Sequence, residues 1–430
     1  MVVVTEGDAS PAICTENGPM LKKIGVQQLT FGMHLKEFCG SWMEHPFWRT
    51  GFVITDSKDI ASILASSIKE VWIDCDKGLD VAQGEAAVSE AESEAQVEAE
   101  MQQAAQSRRT VAPVSTAAEL ERAASICMQS KQAVISMFQE ARMGKAIDVG
   151  GAQQMVEEIS DSVSANPGAL ISLARLKTVD DYTYMHSVAV CAMMVALAKQ
   201  LGLDEKETRA AGLSGLLHDL GKATMPMDVL NKPGKLTDAE FAIIKTHPQE
   251  GHRMLLGVSN VDSMVLDVCL HHHEKTDGSG YPKGLKGDEI SLFAKMGAVC
   301  DVYDAITSNR PYKAGWDPAE SLRKMAEWAN GHFDPKVFQG FVKSLGIYPI
   351  GSLVQLSSGR LGVVVEQTGK SLTTPAVKVF FSTKSNMRIV PEVVDLSRPG
   401  TLEKIVSRED PAKWRFADLN ELWSGLPSAR

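Results

Sequence analysis

Residues 213–222 read Leu213-Ser214-Gly215-Leu216-Leu217-His218-Asp219-Leu220-Gly221-Lys222. Leu213, Leu216, Leu217 and Leu220 recur at spacings of three and four, the period of one helix face. The same period runs through Ile126–Phe138 and Val188–Leu201. Asn166-Pro167-Gly168, Lys232-Pro233-Gly234 and Asp277-Gly278-Ser279-Gly280 interrupt it with helix breakers. Strands and helices do not alternate here, so a Rossmann sheet is not expected. Residues 116–345 read as an all-α body.

Outward from this body the pattern changes on both sides. Residues 1–79 read as a small α/β domain. Phe52-Val53-Ile54 and Val71-Trp72-Ile73 are strand candidates, and Asp56 and Ser57 can cap a helix through Ile60, Ile63 and Leu64. Trp42, Phe47 and Trp48 would add bulk to its core. Between Lys77 and Arg108 no basic residue occurs while Glu85, Glu90, Glu92, Glu94, Glu98 and Glu100 accumulate, so residues 80–115 read as an acidic linker with some helix. Residues 346–430 read as a β-rich extension. Leu353–Leu356, the Ser357-Ser358-Gly359 turn and Leu361–Val365 predict a hairpin, and Val377–Phe381 a further strand. The fold class expected is multi-domain and mainly α-helical, with a small α/β domain before the core and a β appendage after it.

Composition narrows the function. The 430 residues carry 44 Lys and Arg against 54 Asp and Glu, a formal charge of −10. Such a chain is not expected to coat nucleic acid through bulk charge. The longest apolar run, Val188–Ala198, is far short of the roughly 20 residues that span a bilayer, so no membrane span is expected. Seven scattered cysteines without a Cys-x-x-Cys pair, and a start without a basic signal region, suit reduced thiols in the cytoplasm.

Seven of the ten histidines fall between residues 186 and 273: His186, His218, His247, His252, His271, His272 and His273. Neutral imidazole is the commonest metal ligand. His218 followed by Asp219 at a helix end offers two ligands, and a carboxylate with two oxygens can bridge two metals. An isolated His-Asp pair is ordinarily structural, and what raises this one is its context. Leu230-Asn231-Lys232-Pro233-Gly234-Lys235-Leu236-Thr237 follows, then His247-Pro248 and Gly251. After these come His272-His273-Glu274-Lys275-Thr276-Asp277-Gly278-Ser279-Gly280-Tyr281-Pro282, Asp301-Val302-Tyr303-Asp304-Ala305 and Arg310-Pro311-Tyr312-Lys313.

In order and spacing this set resembles the HD-GYP family, an all-helical branch of the HD metal-dependent phosphohydrolases that cleaves cyclic di-GMP. The likeness covers roughly residues 170–340. It implies seven metal ligands: His186, His218, Asp219, His247, His272, His273 and Asp301. It implies Asp219 as the bridge between two divalent transition metals, iron or manganese foremost, with nickel or zinc as alternatives. Some relatives carry a Glu one turn before the first ligand His and bind a third metal. Tyr182 stands at that position, so two metals are expected. Mixed imidazole and carboxylate ligation argues against an all-oxygen magnesium site. Two cations about 3.5–4 Å apart would neutralise charge developing on a phosphodiester and activate a water.

The resemblance also assigns Lys222 to catalysis and substrate binding, and Arg310 and Lys313 to ligand phosphate. Asp277 and Tyr281 lie in the namesake loop and are candidate substrate contacts, although a structural or partner-binding role for this loop weighs more. Glu274 is expected behind the ligands. His252 and His271 fall off the motif. The leading reading is hydrolysis of cyclic di-GMP to pGpG, with GMP as a further product. The alternatives are a non-catalytic receptor or scaffold, and a hydrolase of another cyclic dinucleotide. A signalling-protein partner at the namesake loop, and a homodimer through residues 116–165, are further expectations. The N-terminal segment, with Leu29-Thr30-Phe31-Gly32-Met33 and His45-Pro46-Phe47-Trp48, is similar to a short domain often found before HD-GYP domains.

Overall fold

A computed structural model of the chain describes residues 20–39, 51–66, 68–82, 85–105, 114–176, 182–232, 234, 236–309, 315–368 and 371–426. Trp42, Phe47 and Trp48 lie outside these. The chain forms two compact units, residues 1–95 and 96–430.

The first unit is an antiparallel sheet of β1 (Leu21–Gly25), β2 (His34–Phe38), β3 (Phe52–Val53), β4 (Glu70–Asp74) and β5 (Val88–Ser89). Its strand order is β3-β2-β4-β1-β5. Helix α1 (Ser57–Leu64) starts where the Asp56 carboxylate accepts the Lys58 amide proton, the cap that the sequence predicts. Ile24, Leu35, Phe38, Ile54, Ile63, Val71 and Ile73 fill the core of this unit. Within the acidic stretch, Glu90–Ala105 forms helix α2. Ala, Glu, Gln and Met are good helix formers, and Glu90 and Glu92 face the positive end of the helix dipole.

The second unit is mainly helical. Helices α3 (Thr116–Arg142), α4 (Val149–Ala165) and α5 (Pro167–Arg175) lead to α6 (Tyr182–Gln200) and α7 (Glu205–Leu217). Short α8 (Met227–Leu230) and α9 (Asp238–Ile244) precede α10 (His247–Leu256), α11 (Ser263–His271), α12 (Leu292–Thr307), α13 (Pro318–His332) and α14 (Pro335–Leu345). Val188 through Ala198 of α6 are all buried, and α6 packs on α5, α7, α12 and α14. A helix that is apolar all round belongs in the middle of a core, and this one forms the axis of the body.

The predicted C-terminal hairpin is present. Strands β6 (Leu353–Leu356) and β7 (Arg360–Glu366) pair antiparallel with Gln355 opposite Leu361. Gly359 takes φ +81° in the turn, where a side chain would be strained. With β8 (Ala376–Ser382), β9 (Met387–Asp395) and β10 (Ile405–Arg408) the sheet order is β10-β6-β7-β8-β9. Hydrogen bonds tie this sheet and the segment leading into it to the helices. Asp317, the cap of α13, accepts the Leu353 amide proton at 3.1 Å, and Arg175 donates to the Ile350 carbonyl at 3.2 Å. Among the described residues no helix is long and apolar enough to cross a membrane.

Candidate metal centre

Helix ends converge where the sequence clusters its histidines. His186 lies in the second turn of α6, and His218 and Asp219 follow the last residue of α7. His247 opens α10, His272 and His273 follow α11, and Asp301 and Asp304 lie on α12. Carbonyls three or four residues earlier in the chain fix the ring tautomers. His218 Nδ1 donates to Gly215 O at 2.7 Å, His247 Nδ1 to Ile244 O at 2.7 Å, and His272 Nδ1 to Val268 O at 3.0 Å. A carbonyl can only accept, so each Nδ1 carries the proton and each neutral ring keeps a bare Nε2. Burial above all pulls the imidazoles of His218, His272 and His273 below their usual range, His272 to about 3.

These bare nitrogens point at one another. His218 Nε2 lies 3.2 Å from His186 Nε2, and His247 Nε2 lies 3.3 Å from His272 Nε2. Two lone pairs at that distance repel unless a cation lies between them. Three groups of donors lie close together: His186 with His218 and Asp301, His247 with His272 and His273, and a third, His218 with Asp219 and His272, that joins the first two. Asp219 lies between the first two. Its Oδ2 is 3.4 Å from His186 Nε2 and 3.5 Å from His218 Nε2, while its Oδ1 is 3.2 Å from His247 Nε2 and 3.9 Å from His272 Nε2. Asp219 Oδ1, Asp301 Oδ2 and His273 Nε2 are buried without a hydrogen-bond partner. Burial opposes charge on both carboxyls. Lys222 and the neighbouring imidazoles outweigh burial at Asp219, as His186 and His273 do at Asp301, so both stay well below the usual carboxylate range. Buried carboxylate oxygens without a partner, facing bare imidazole nitrogens, are what divalent cations would satisfy, so these residues fit the implied metals.

His186 differs from the other rings. Its Nδ1 meets a side chain, Asp304 Oδ2, at 2.6 Å, and its Nε2 lies 3.0 Å from Asp301 Oδ1. Burial works against an imidazolium here, but the two carboxylates outweigh it and raise the proton affinity of the ring. Proton and metal therefore compete for the same Nε2. Sequence reasoning missed Asp304. The available signal was its position three residues after Asp301, which puts both carboxylates on one face of α12.

The rest of the motif holds these groups in place. Lys222 Nζ lies 2.5 Å from Asp219 Oδ2. Gly221 lets the His247 carbonyl approach the His-Asp turn, since a Cβ at 221 would come within 1.9 Å of His247 O. Glu274, buried behind His273, accepts the amide protons of Lys283 at 2.7 Å and Leu285 at 3.0 Å. Asp277 closes a turn by accepting from Ser279 N at 2.8 Å and Ser279 Oγ at 2.6 Å. Gly280 packs where a Cβ would come 2.5 Å from Glu274 Cα. The Tyr281 ring stacks on His273, with centroids 4.7 Å apart.

The structure thus brings together all seven candidate ligands, with Lys222 and Tyr281 beside them. Asp277 shapes the loop. His271 Nδ1 instead pairs with Asp267 at 2.8 Å. Arg310, Lys313 and the side chain of Tyr182 lie outside what is described.

Comparisons with known proteins place the chain among HD-domain proteins. A family model described as HD domain matches residues 158–337, and one described as a domain of unknown function matches residues 21–152. A cyclic di-GMP phosphodiesterase of Pseudomonas aeruginosa is 56% identical over 408 residues, covering 95% of this chain and 96% of that protein. A cyclic di-GMP phosphodiesterase response regulator of Xanthomonas campestris is 43% identical over 148 residues, 34% of this chain and 39% of that protein. A 3′3′-cGAMP-specific phosphodiesterase of Vibrio cholerae is 38% identical over 164 residues, 38% of each chain.

Proposed function

This chain belongs to the HD-GYP family of HD-domain phosphohydrolases, and on that premise we propose that it is a cyclic di-GMP phosphodiesterase. It opens a 3′–5′ phosphodiester of the ring to give pGpG, with GMP as a further product. The observation that carries this reading is the position of Asp219, one carboxylate with an oxygen toward each of two imidazole groups. Residues 116–345 are the proposed catalytic body, residues 1–79 and 346–430 the flanking domains, and residues 80–115 their acidic linker.

In the proposed mechanism His186, His218, Asp301 and Asp219 Oδ2 would hold one divalent ion, and His247, His272, His273 and Asp219 Oδ1 a second. Iron or manganese suits this donor set. When bound, such ions polarise phosphodiester oxygens and make a water nucleophilic near neutral pH. The protein groups do the rest. Asp304 fixes the His186 tautomer through Nδ1. Lys222 Nζ, held against Asp219, can grip a phosphate oxygen or deliver a proton to the leaving 3′ oxygen. Arg310 and Lys313 are the proposed phosphate contacts, and Asp277 and Tyr281 bring the namesake loop to the substrate. That loop is also the proposed surface for a signalling partner. A homodimer through residues 116–165 and a cytoplasmic setting complete the reading.

A second reading, hydrolysis of a mixed cyclic dinucleotide, is favoured by the Vibrio cholerae relative. One experiment separates the two. Protein loaded anaerobically with Fe²⁺ or Mn²⁺ is incubated with cyclic di-GMP and, in parallel, with 3′3′-cGAMP, beside an Asp219→Ala control. Linear pGpG or GMP from the parent alone is the expected result. Intact cyclic di-GMP with metal content verified would overturn the reading, and turnover of 3′3′-cGAMP alone would replace it with the second.

A further inference from the structure

Lys245 is an exposed cation beside the centre that the ligand set does not use. It follows α9 and stands two residues before His247. Its Nζ lies 4.7 Å from the ring centre of Phe241, one helical turn earlier, and 5.2 Å from that of Tyr281. Tyr281 in turn stacks on His273. The ammonium is therefore held one ring beyond a candidate metal ligand.

Two lysines earlier in the chain are paired with carboxylates. Lys222 pairs with Asp219, and Lys232 with Glu240 at 2.7 Å. Among the described residues no carboxylate lies within ion-pair distance of Lys245. In a chain of charge −10, an ammonium held over two rings and left without a protein anion lacks a counter-charge.

We propose that Lys245 binds the phosphate of the cyclic dinucleotide that is not being cleaved. This rests on the cyclic di-GMP reading above. Such a substrate carries two phosphodiesters, and only one can occupy the metal centre at a time. Lys222, beside Asp219, serves the ester at the centre, and Lys245 offers the other ester a cation in addition to the proposed contacts Arg310 and Lys313. Lys245 is thus a substrate-selecting residue, favouring esters with a second charge over simple phosphodiesters.

The test uses the metal-loaded full chain and two substrates. Cyclic di-GMP has the second phosphate and bis(p-nitrophenyl) phosphate does not. Lys245→Gln is expected to raise KM for cyclic di-GMP about 3- to 10-fold with kcat little changed. It should leave both constants for bis(p-nitrophenyl) phosphate at the parent values, and Lys245→Arg should restore the parent KM. Equal effects on both substrates would place Lys245 in the support of His247 and overturn the proposal, as would no effect on either. Calorimetric binding of cyclic di-GMP separates this from the functional reading. A parent that binds without cleaving, with weaker binding in Lys245→Gln, sinks the phosphodiesterase and keeps the subsite. A parent that cleaves regardless of Lys245 sinks only the subsite, and a parent that neither binds nor cleaves sinks both.

Discussion

Asp304 Oδ2 lies 2.6 Å from His186 Nδ1, so a carboxylate on α12 sets the tautomer of an imidazole 118 residues earlier on α6. The pair is buried, and Asp301 from the same helix reaches the opposite nitrogen of the ring. One helix thus carries both a candidate ligand and the group that orients its neighbour.

Removing the orienting carboxylate tests this directly. Asp304→Ala frees the His186 ring to turn and to exchange tautomers. Partners of this kind, when lost, ordinarily weaken metal affinity about 10- to 100-fold. Competition with a coloured chelator measures it, and parent-like affinity would deny Asp304 the role.

Gly221 makes a different prediction. A methyl there would meet His247 O at 1.9 Å and Gly251 N at 2.5 Å, both backbone atoms that cannot swing aside. Gly221→Ala must push α10 away from the His-Asp turn. A loss of about 1–3 kcal/mol in unfolding free energy is expected. Metal content should fall with it, because His247 moves with α10. Denaturant titration and metal analysis on the same sample check both.

Glu274 ties down the namesake loop. Glu274→Ala would leave the Lys283 and Leu285 amides without their acceptor, at about 1–3 kcal/mol for each that stays buried. The loop should therefore open more readily. Hydrogen exchange at residues 275–286 is expected to quicken while exchange in α6 stays at the parent rate. Glu274→Gln, which keeps one acceptor oxygen, should show a smaller change.

Asp317 predicts a pH effect away from the centre. Burial pushes its carboxyl up to about 6, against the pull of the backbone amides that it accepts and of Arg175. Its ordinary value is 3.8. A carboxyl raised on folding holds its proton more tightly in the folded state, so its contribution is greatest below the ordinary value. That contribution is lost as pH rises through the window from 3.8 to about 6. It amounts to about 3 kcal/mol across the window. Asp317→Asn cannot titrate, so its stability relative to the parent should climb from pH 4 to pH 6 and then level off. Urea unfolding across that range reads the slope, and a flat difference would reject the assignment.

Much of the fold was legible because its signals are local. The three-and-four spacing of Leu213, Leu216, Leu217 and Leu220 is visible within about two turns of chain, and the Asp56 cap and the Ser357-Ser358-Gly359 turn are as local. The helix in the acidic stretch was harder to place, because Ala-Glu-Gln composition suits a solvated tether and a helix alike. At the centre, the candidate ligands were legible as residue types in a recurring order. Asp304 was not, because its partner lies on another helix and nothing in the intervening chain marks the pairing. The Lys245–Tyr281 contact was hidden for the same reason.

The sequence by itself determined a helical body flanked by two smaller folds, the kind of donors it carries, and the chemistry to which such donors are suited. Periodicity, caps and turns depend on neighbours along the chain, so they can be read there. The tertiary structure alone decided which nitrogen faces which, that the two oxygens of Asp219 divide between two imidazole groups, and that Asp304 backs His186. Those relationships arise where helix ends distant in sequence meet, and packing of α6 against α7 and α12 holds them together.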